Sequence, residues 1–335
     1  MPICKLDELR ELATEVFIAS ETSPENAAIV ADALVAAEAD GLASHGLQRV
    51  TYYADQAKTK TVDGLAVPGV SQPAGAVVRV DAKDGFAYPA IKAGLARAAE
   101  LAAQTGVVAM SVANSHHCGV VGHHVEHLAE QGLIGLAFAN TPAAIAPWGG
   151  SRALFGTNPI AFASPRKNDA PLVVDFAMSK VARGKIMLAA KEGKPIEPGW
   201  ALDAEGNSIT DAEEALKGTL LPMGDAKGAA LVMAVEILCA ALSGSHFGFE
   251  ASSFFDAKGV PPRVGQFFLV LKPDLFSPDY LDRLEVMVRA IVEQPGVRLP
   301  GSRRWALREK AQRDGVSIPD PLFKELTARA GASAG

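Results

Sequence analysis

Near the start of the chain, the residues best able to do chemistry stand at a break between two helical patterns: Asp40-Gly41-Leu42-Ala43-Ser44-His45-Gly46-Leu47-Gln48-Arg49. A histidine at such a corner can lean into a cleft while both flanking helices stay packed. Arg49 follows His45 by four residues, so a helix beginning near Gly46 places both side chains on one face. A guanidinium grips a carboxylate in two prongs, and an imidazole delivers or removes a proton. The pair suits a substrate that is both an acid and a carbonyl or imine. The competing reading makes His45 a helix cap and Arg49 a solvated charge.

A second concentration follows the strand pattern Val107–Val112, in Asn114-Ser115-His116-His117-Cys118-Gly119-Val120-Val121-Gly122. A strand, a polar glycine-containing turn and then a helix let backbone N–H groups face an anion. That makes the turn a candidate phosphate cradle; the alternative is an ordinary turn with surface histidines. His123-His124-Val125-Glu126-His127 matches HxxEH. On a helix, His123 and His127 could bind zinc, with Glu126 as the base of a hydrolase. A histidine-dense stretch yields such spacings by chance, and no third ligand is evident downstream, so no metal is assigned and His124 is expected to face solvent. GxGxxG, a Walker A loop and GxSxG are all missing from the sequence, which excludes the common dinucleotide fingerprint.

Smaller features add polar turns. Gly156-Thr157-Asn158-Pro159 enters a strand and reads as an Asx-type turn. Asp175 ends an apolar strand, where ligands bind in α/β sheets or where an acid caps the next helix. Arg183-Gly184-Lys185 adds two cations, Gly224-Asp225-Ala226-Lys227-Gly228 opens an apolar helix, and Arg303-Arg304 stand at a helix start suited to phosphate.

The elements that position these groups begin with helices over 5–20, from Pro24 behind an N-cap Ser23 to Asp40, and over Leu47–Lys58. Residues 61–75 read as a linker. An α/β pattern follows, with strands at Val77–Val80, Val107–Val112, Leu133–Ala139, Pro159–Ala163, Leu172–Phe176 and Phe267–Leu271. Helices are expected over 89–104, 120–131, Val181–Ala190 and Gly228–Leu242, the last apolar nearly all round and so expected to be buried. Residues 278–293, 302–313 and 320–330 return to helix, and the tail 328–335 is expected to fray. The fold class is α/β: a helical domain over 1–70, joined by the C-terminal helices of 280–335, around an α/β domain over 75–279.

At 335 residues, 49% hydrophobic and 21% charged, the composition is that of a globular chain. A net charge of -6 with no basic stripe argues against nucleic acid. The start is charged and helix-patterned, and no apolar run reaches the roughly 18 residues of a membrane span. Three scattered cysteines, Cys4, Cys118 and Cys239, fit a reducing cytoplasm.

SHG at 44–46, NSHHCG at 114–119, WGG at 148–150, GTNPIAFASP at 156–165, ARGKI at 182–186, GWALD at 199–203 and LPGSR at 299–303 resemble the type 2 malate/L-lactate dehydrogenase family. The resemblance runs in order over almost the whole chain. It implies a homodimeric NAD(P)-dependent oxidoreductase with a non-Rossmann nucleotide-binding sheet, which accounts for the missing GxGxxG. Phe249-Glu250-Ala251 and Gly259–Gln266 are similar to the branch that reduces Δ1-piperideine-2-carboxylate or Δ1-pyrroline-2-carboxylate to L-pipecolate or L-proline. That reaction is the expectation, with malate/lactate-type 2-hydroxy acid oxidation as the alternative. The resemblance makes His45 the proton donor with Ser44 beside it, and Arg49 the carboxylate ligand. Thr157, Arg183 and Gly184 would complete the substrate pocket. The cofactor would lie on His117, Cys118, Gly119, Val120, Val121, Asp175, Phe176, Ala177, Ala226, Lys227, Gly301, Ser302, Arg303 and Arg304. Lys185 stands where some imine reductases carry an acid that completes the relay, and lysine there is common in malate-like members. The arginines at 303–304 favour NADPH over NADH, with NADH still possible.

Overall fold

The computed structural model describes residues 1–331. The chain opens with a two-residue strand β1 (Ile3–Cys4), helix α1 (Leu6–Ile18) and helix α2 (Pro24–Ala39). Ser23 accepts the Asn26 N–H, and Pro24 takes the first helical position, where no N–H is missed. A 3-10 turn, Ala43–His45, leads into α3 (Gln48–Lys58).

Residues 61–75 are not wholly a linker, because Gly69–Ala74 form strand β2. Its glycine and proline are tolerated at a sheet edge, where one side of the ladder is unpaired. Then come β3 (Val77–Asp81), α4 (Ala87–Thr105), β4 (Val107–Ser115), α5 (Val121–Glu130), β5 (Ile134–Ala139), β6 (Ile160–Ser164) and β7 (Leu172–Phe176). A small unit follows: α6 (Arg183–Lys191), β8 (Ala201–Leu202), β9 (Ser208–Ile209), α7 (Ala212–Lys217) and β10 (Thr219–Leu220). Helix α8 (Asp225–Glu236) runs on through a π turn at Ile237–Ala241. Strand β11 (Val264–Leu271), helices α9 (Tyr280–Val292) and α10 (Ser302–Asp314), strand β12 (Val316–Ser317) and helix α11 (Asp320–Gly331) complete it. Residues 328–331 of the expected fraying tail are therefore helical, and 332–335 lie outside the described residues.

The main sheet has seven strands in the order β2-β3-β4-β11-β5-β6-β7. Only β3–β4 is parallel; every other neighbouring pair is antiparallel. Strand β11 enters the middle from far along the chain, buried on both faces like the apolar run Phe267–Leu271 that announces it.

Three cores matter for the site. One lies between the sheet and α4 and α5, around Val80, Met110, Val112, Val125 and Phe268. A second joins α1, α2 and α3 to Ala311, Ile318 and Leu326 from the other end of the chain, where β1 also pairs with β12. A third, around Ile145, Met178 and Ile186, holds the small unit. Helix α9 attaches to the far strands instead, through Arg166–Glu285 and the Ser164 and Tyr280 hydroxyls at 2.8 Å.

The expectation of a buried helix at 228–242 fails on one side. Val232, Val235 and Cys239 are buried, but Leu231, Met233, Ile237 and Leu242 are exposed. The sheet covers a single face of this helix, so residues apolar all round leave the other face uncovered. No helix among the described residues is long and apolar enough to cross a membrane.

Candidate active site

The SHG corner is built by packing. Glu38 accepts the Leu47 N–H at 2.9 Å, and a Cβ at Gly46 would stand 2.3 Å from the Glu38 carboxylate. The Glu38 backbone nitrogen would stand 3.0 Å from the same Cβ, so a side chain here would crowd α2 itself. His45 is half-buried, with Ser44 Oγ 3.0 Å from its Nδ1. Burial and the neighbouring Arg49 and His123 hold its pKa down to about 4. The imidazole is therefore neutral at pH 7, the form that can accept a proton.

Arg49 is not a solvated charge. It is 6% exposed, donates Nε–H to the Ser44 carbonyl at 2.8 Å, and lies against the Phe255 ring with Cζ 4.4 Å from its centroid. It has no carboxylate partner among the described residues, and its Nη1 is buried without any hydrogen bond. His45 precedes α3, so the two side chains meet through the Ser44 backbone rather than as neighbours on one helix.

His116 and His117 approach the same corner. The His45 and His117 rings are 5.6 Å apart, and Phe254 packs on His117 at 4.8 Å. Neither nitrogen of the buried His116 has a partner among the described residues. Burial and then Arg49 push its pKa to about 3 and that of His117 well below the ordinary value. Both are buried, so the surface-histidine reading of this turn is wrong. Cys118 is buried and its thiol is pushed up to about 12, so it is not a nucleophile. His124, expected in solvent, is turned inward: its Nε2 meets the Cys118 carbonyl at 2.9 Å, and burial lowers its pKa to about 4.

The start of α5 gathers another group. The Gly122 N–H donates to Asp175 at 2.8 Å, and a Cβ at Gly122 would stand 2.8 Å from that carboxylate and 3.2 Å from Arg304 Nη1. The anion that the glycine turn holds is thus an internal carboxylate, which caps α5 and not the helix following Asp175. Burial raises the Asp175 pKa, against the pull of Gly122 and Arg304. Gly301 closes on Val173, so the turn 301–304 lies beside the end of β7. Phe176, Ser302 and Arg303 are exposed there, and Ala177 is half-buried.

A buried charge network ties these parts together. Asp40 accepts two bonds from Arg308 at 2.8 Å and one from His123 at 2.8 Å, and Arg308 also holds Glu126. Burial opposes charge on Asp40, but these bonds outweigh it and hold the carboxyl at about 2. His123 and Glu126 are therefore committed to Asp40 and Arg308, while His127 is exposed beside Glu130. No three potential ligands gather for a metal among the described residues.

The remaining expected residues make no hydrogen bond or ion pair to His45, Arg49 or His117 among the described residues. Thr157 is fixed by its N–H on Thr141 Oγ1 at 3.0 Å, next to Asn158, which donates to the buried Glu236 at 2.7 Å. Arg183 donates to the Leu216 carbonyl at 2.9 Å, and α6 packs on α7, leaving Gly184 and Lys185 exposed. Ala226 and Lys227 are exposed at the start of α8. Sequence reasoning missed Tyr53, Phe254, Phe255 and Arg308. Tyr53 lies four residues after Arg49 on α3, a spacing that marks it as sharing the face of Arg49; the others carry no local signal.

The model of the malate/L-lactate dehydrogenase family matches residues 4–327. Among curated proteins, the chain is 50% identical to a (2R)-3-sulfolactate dehydrogenase (NADP(+)) of Chromohalobacter salexigens, covering 97% of each chain. It is 40% identical to a Delta(1)-pyrroline-2-carboxylate/Delta(1)-piperideine-2-carboxylate reductase of Pseudomonas aeruginosa, over 96% of this chain and 98% of the relative. The crystal structure of the delta1-piperideine-2-carboxylate reductase of Pseudomonas syringae superposes with a TM-score of 0.93 at 36% identity, covering 98% of this chain and 100% of that one. With a family match over nearly its whole length, the chain belongs to the malate/L-lactate dehydrogenase family, an oxidoreductase family.

Proposed function

We propose that the protein is an NADP(H)-dependent dehydrogenase of 2-hydroxy acids, with His45 as acid–base residue and Arg49 as carboxylate clamp. Arg49 carries this reading. A guanidinium 6% exposed with no counter-ion among the described residues is costly unless an anionic ligand completes it. Burial first, and the Arg49 charge after it, depress the pKa values of His45, His116 and His117.

Bound NADP(H) would exchange hydride with the carbon next to the substrate carboxylate. In oxidation, neutral His45 takes the hydroxyl proton; in reduction it returns one to the carbonyl oxygen. Ser44 at Nδ1 leaves Nε2 for that exchange. The turn His117–Val121, Asp175–Ala177 and Gly301–Arg304 are the residues assigned to the cofactor. They fit a phosphorylated dinucleotide: exposed Arg303 and half-buried Arg304 offer a 2′-phosphate two cations, and Arg304 offsets the Asp175 carboxylate. The mostly antiparallel sheet would be the scaffold in place of a doubly wound parallel one.

The hydroxy-acid reading comes first on two grounds. No carboxylate among the described residues bonds to His45 or Arg49 to stabilise an iminium. The relative at 50% identity is a sulfolactate dehydrogenase. A cyclic-imine reductase is the second reading, favoured by the aromatic wall of Tyr52, Phe254 and Phe255 beside the arginine and histidines. We assign the exposed apolar side chains of α6 (Met187, Leu188) and α8 (Leu231, Met233, Ile237) to a homodimer contact. Thr157, Arg183, Gly184 and Lys185 would join the substrate pocket on that assembly.

NADPH consumption with pyruvate, oxaloacetate, 3-sulfopyruvate, Δ1-pyrroline-2-carboxylate and Δ1-piperideine-2-carboxylate in parallel tests the choice. Fastest turnover of an oxo acid is expected. A preference for either imine replaces the first reading by the second, and no turnover of any of them refutes both.

A further inference from the structure

We propose that Tyr53 is a positioning residue that fixes His117 in its Nε2–H tautomer, making His117 a second hydrogen-bond donor to the reacting oxygen beside His45. The inference rests on the oxidoreductase reading of the corner and gives its two imidazoles different tasks.

Tyr53 is wholly buried on α3, and its hydroxyl lies 2.5 Å from His117 Nδ1. One of the two must donate. A neutral imidazole nitrogen is a far better acceptor than a phenol oxygen, and burial keeps His117 neutral and the Tyr53 proton in place, with the tyrosine pKa pushed up to about 12. Tyr53 therefore donates to Nδ1, and the ring proton sits on Nε2.

The Nε2–H then has no protein acceptor among the described residues. Its surroundings are rings: His45 at 5.6 Å, Phe254 at 4.8 Å and Tyr53 at 6.2 Å. Unlike the nitrogens of His116, this Nε2 is not fully enclosed, so water can meet it in the free protein and the oxygen of a bound ligand can take that water's place. Arg49 and Tyr53 are one turn apart on α3, so a ligand held by its carboxylate at Arg49 brings the adjacent oxygen toward this wall. His45 moves the proton, and His117 steadies the developing negative charge without giving its own proton up.

The test is ¹⁵N NMR of the full-length, ligand-free protein labelled at histidine, alongside kinetics of Tyr53→Phe. In the native protein His117 is expected as the Nε2–H tautomer, with Nδ1 unprotonated; Nδ1–H overturns the inference whether or not the variant folds. In Tyr53→Phe the tautomer should become mixed and kcat fall roughly 10- to 100-fold, as for loss of an oxyanion donor, with KM for the carboxylate substrate nearly unchanged. An unchanged kcat despite a changed tautomer, or a loss confined to KM, also overturns it. Failure of every substrate to turn over removes the oxidoreductase reading itself, an outcome the tautomer measurement does not depend on.

Discussion

Replacing Arg308 by leucine should destabilise the protein in a pH-dependent way. Arg308 is the shared partner of two buried carboxylates: the Asp40 side chain is 0% exposed and that of Glu126 6%. Removing one member of a buried ion pair costs about 3–5 kcal/mol. The loss of a partner for both acids puts Arg308→Leu near the upper end. In the native protein, Asp40 has its pKa lowered from 3.8 to about 2. Its contribution, about 2 kcal/mol, is present above pH ~4 and is lost as pH falls through ~2. Without Arg308 the sign reverses, because two buried, adjacent acids bind protons more tightly in the folded state than in the unfolded one. The deficit of the variant is therefore largest at pH 8 and shrinks toward pH 5. Urea unfolding followed by circular dichroism at both pH values measures it. A loss below about 1 kcal/mol at pH 8, or equal losses at both pH values, refutes the reasoning. The same network joins Asp40, α5 and α10, so the variant should also bind NADPH more weakly.

Arg49→Lys should raise KM for the carboxylate substrate by about 10- to 100-fold, because a two-pronged grip becomes a point charge; steady-state kinetics show this, and an unchanged KM argues against the clamp. The folded state keeps His45 and His124 at about 4 and His116 at about 3, against 6.5 ordinarily. They are neutral in the fold and take protons on unfolding, so stability is complete above pH ~6.5 and falls on acidification toward pH ~4, by about 1.4 kcal/mol per pH unit for each histidine. His116→Phe should flatten that slope by one proton in urea unfolding between pH 7 and 5; an unaltered slope speaks against it. Changing Arg303 and Arg304 together to alanine should lower the preference for NADPH over NADH by roughly tenfold or more, and an equal effect on both cofactors would remove the 2′-phosphate assignment.

Much of the architecture is written in local pattern. The Ser23-Pro24 start and the Gly41 stop of α2 are cap chemistry, and the alternating strands of the sheet show as apolar runs. The exposed edge β2 is hidden because an edge strand can carry the glycine and proline of a linker. The open face of α8 is hidden because an apolar helix looks the same whether its second face meets its own sheet or another surface. In the site, the nearness of His45 and Arg49 is legible from sequence, but the shared helix face inferred from their spacing is not, because His45 lies before α3 and the two meet through the Ser44 backbone. The environment of the 116–124 histidines is not, since burial by Tyr53, Phe86 and Phe254 comes from distant segments. Nor is Asp175 as the cap of α5, a contact spanning 53 residues.

His45→Ala, followed by rapid mixing with NADPH and the best substrate, tests the proton-transfer assignment most directly. The hydride-transfer rate should fall at least ~100-fold, with NADPH affinity and the urea midpoint held close to those of the native protein. A variant that consumes NADPH at the native rate would contradict the role given to this imidazole.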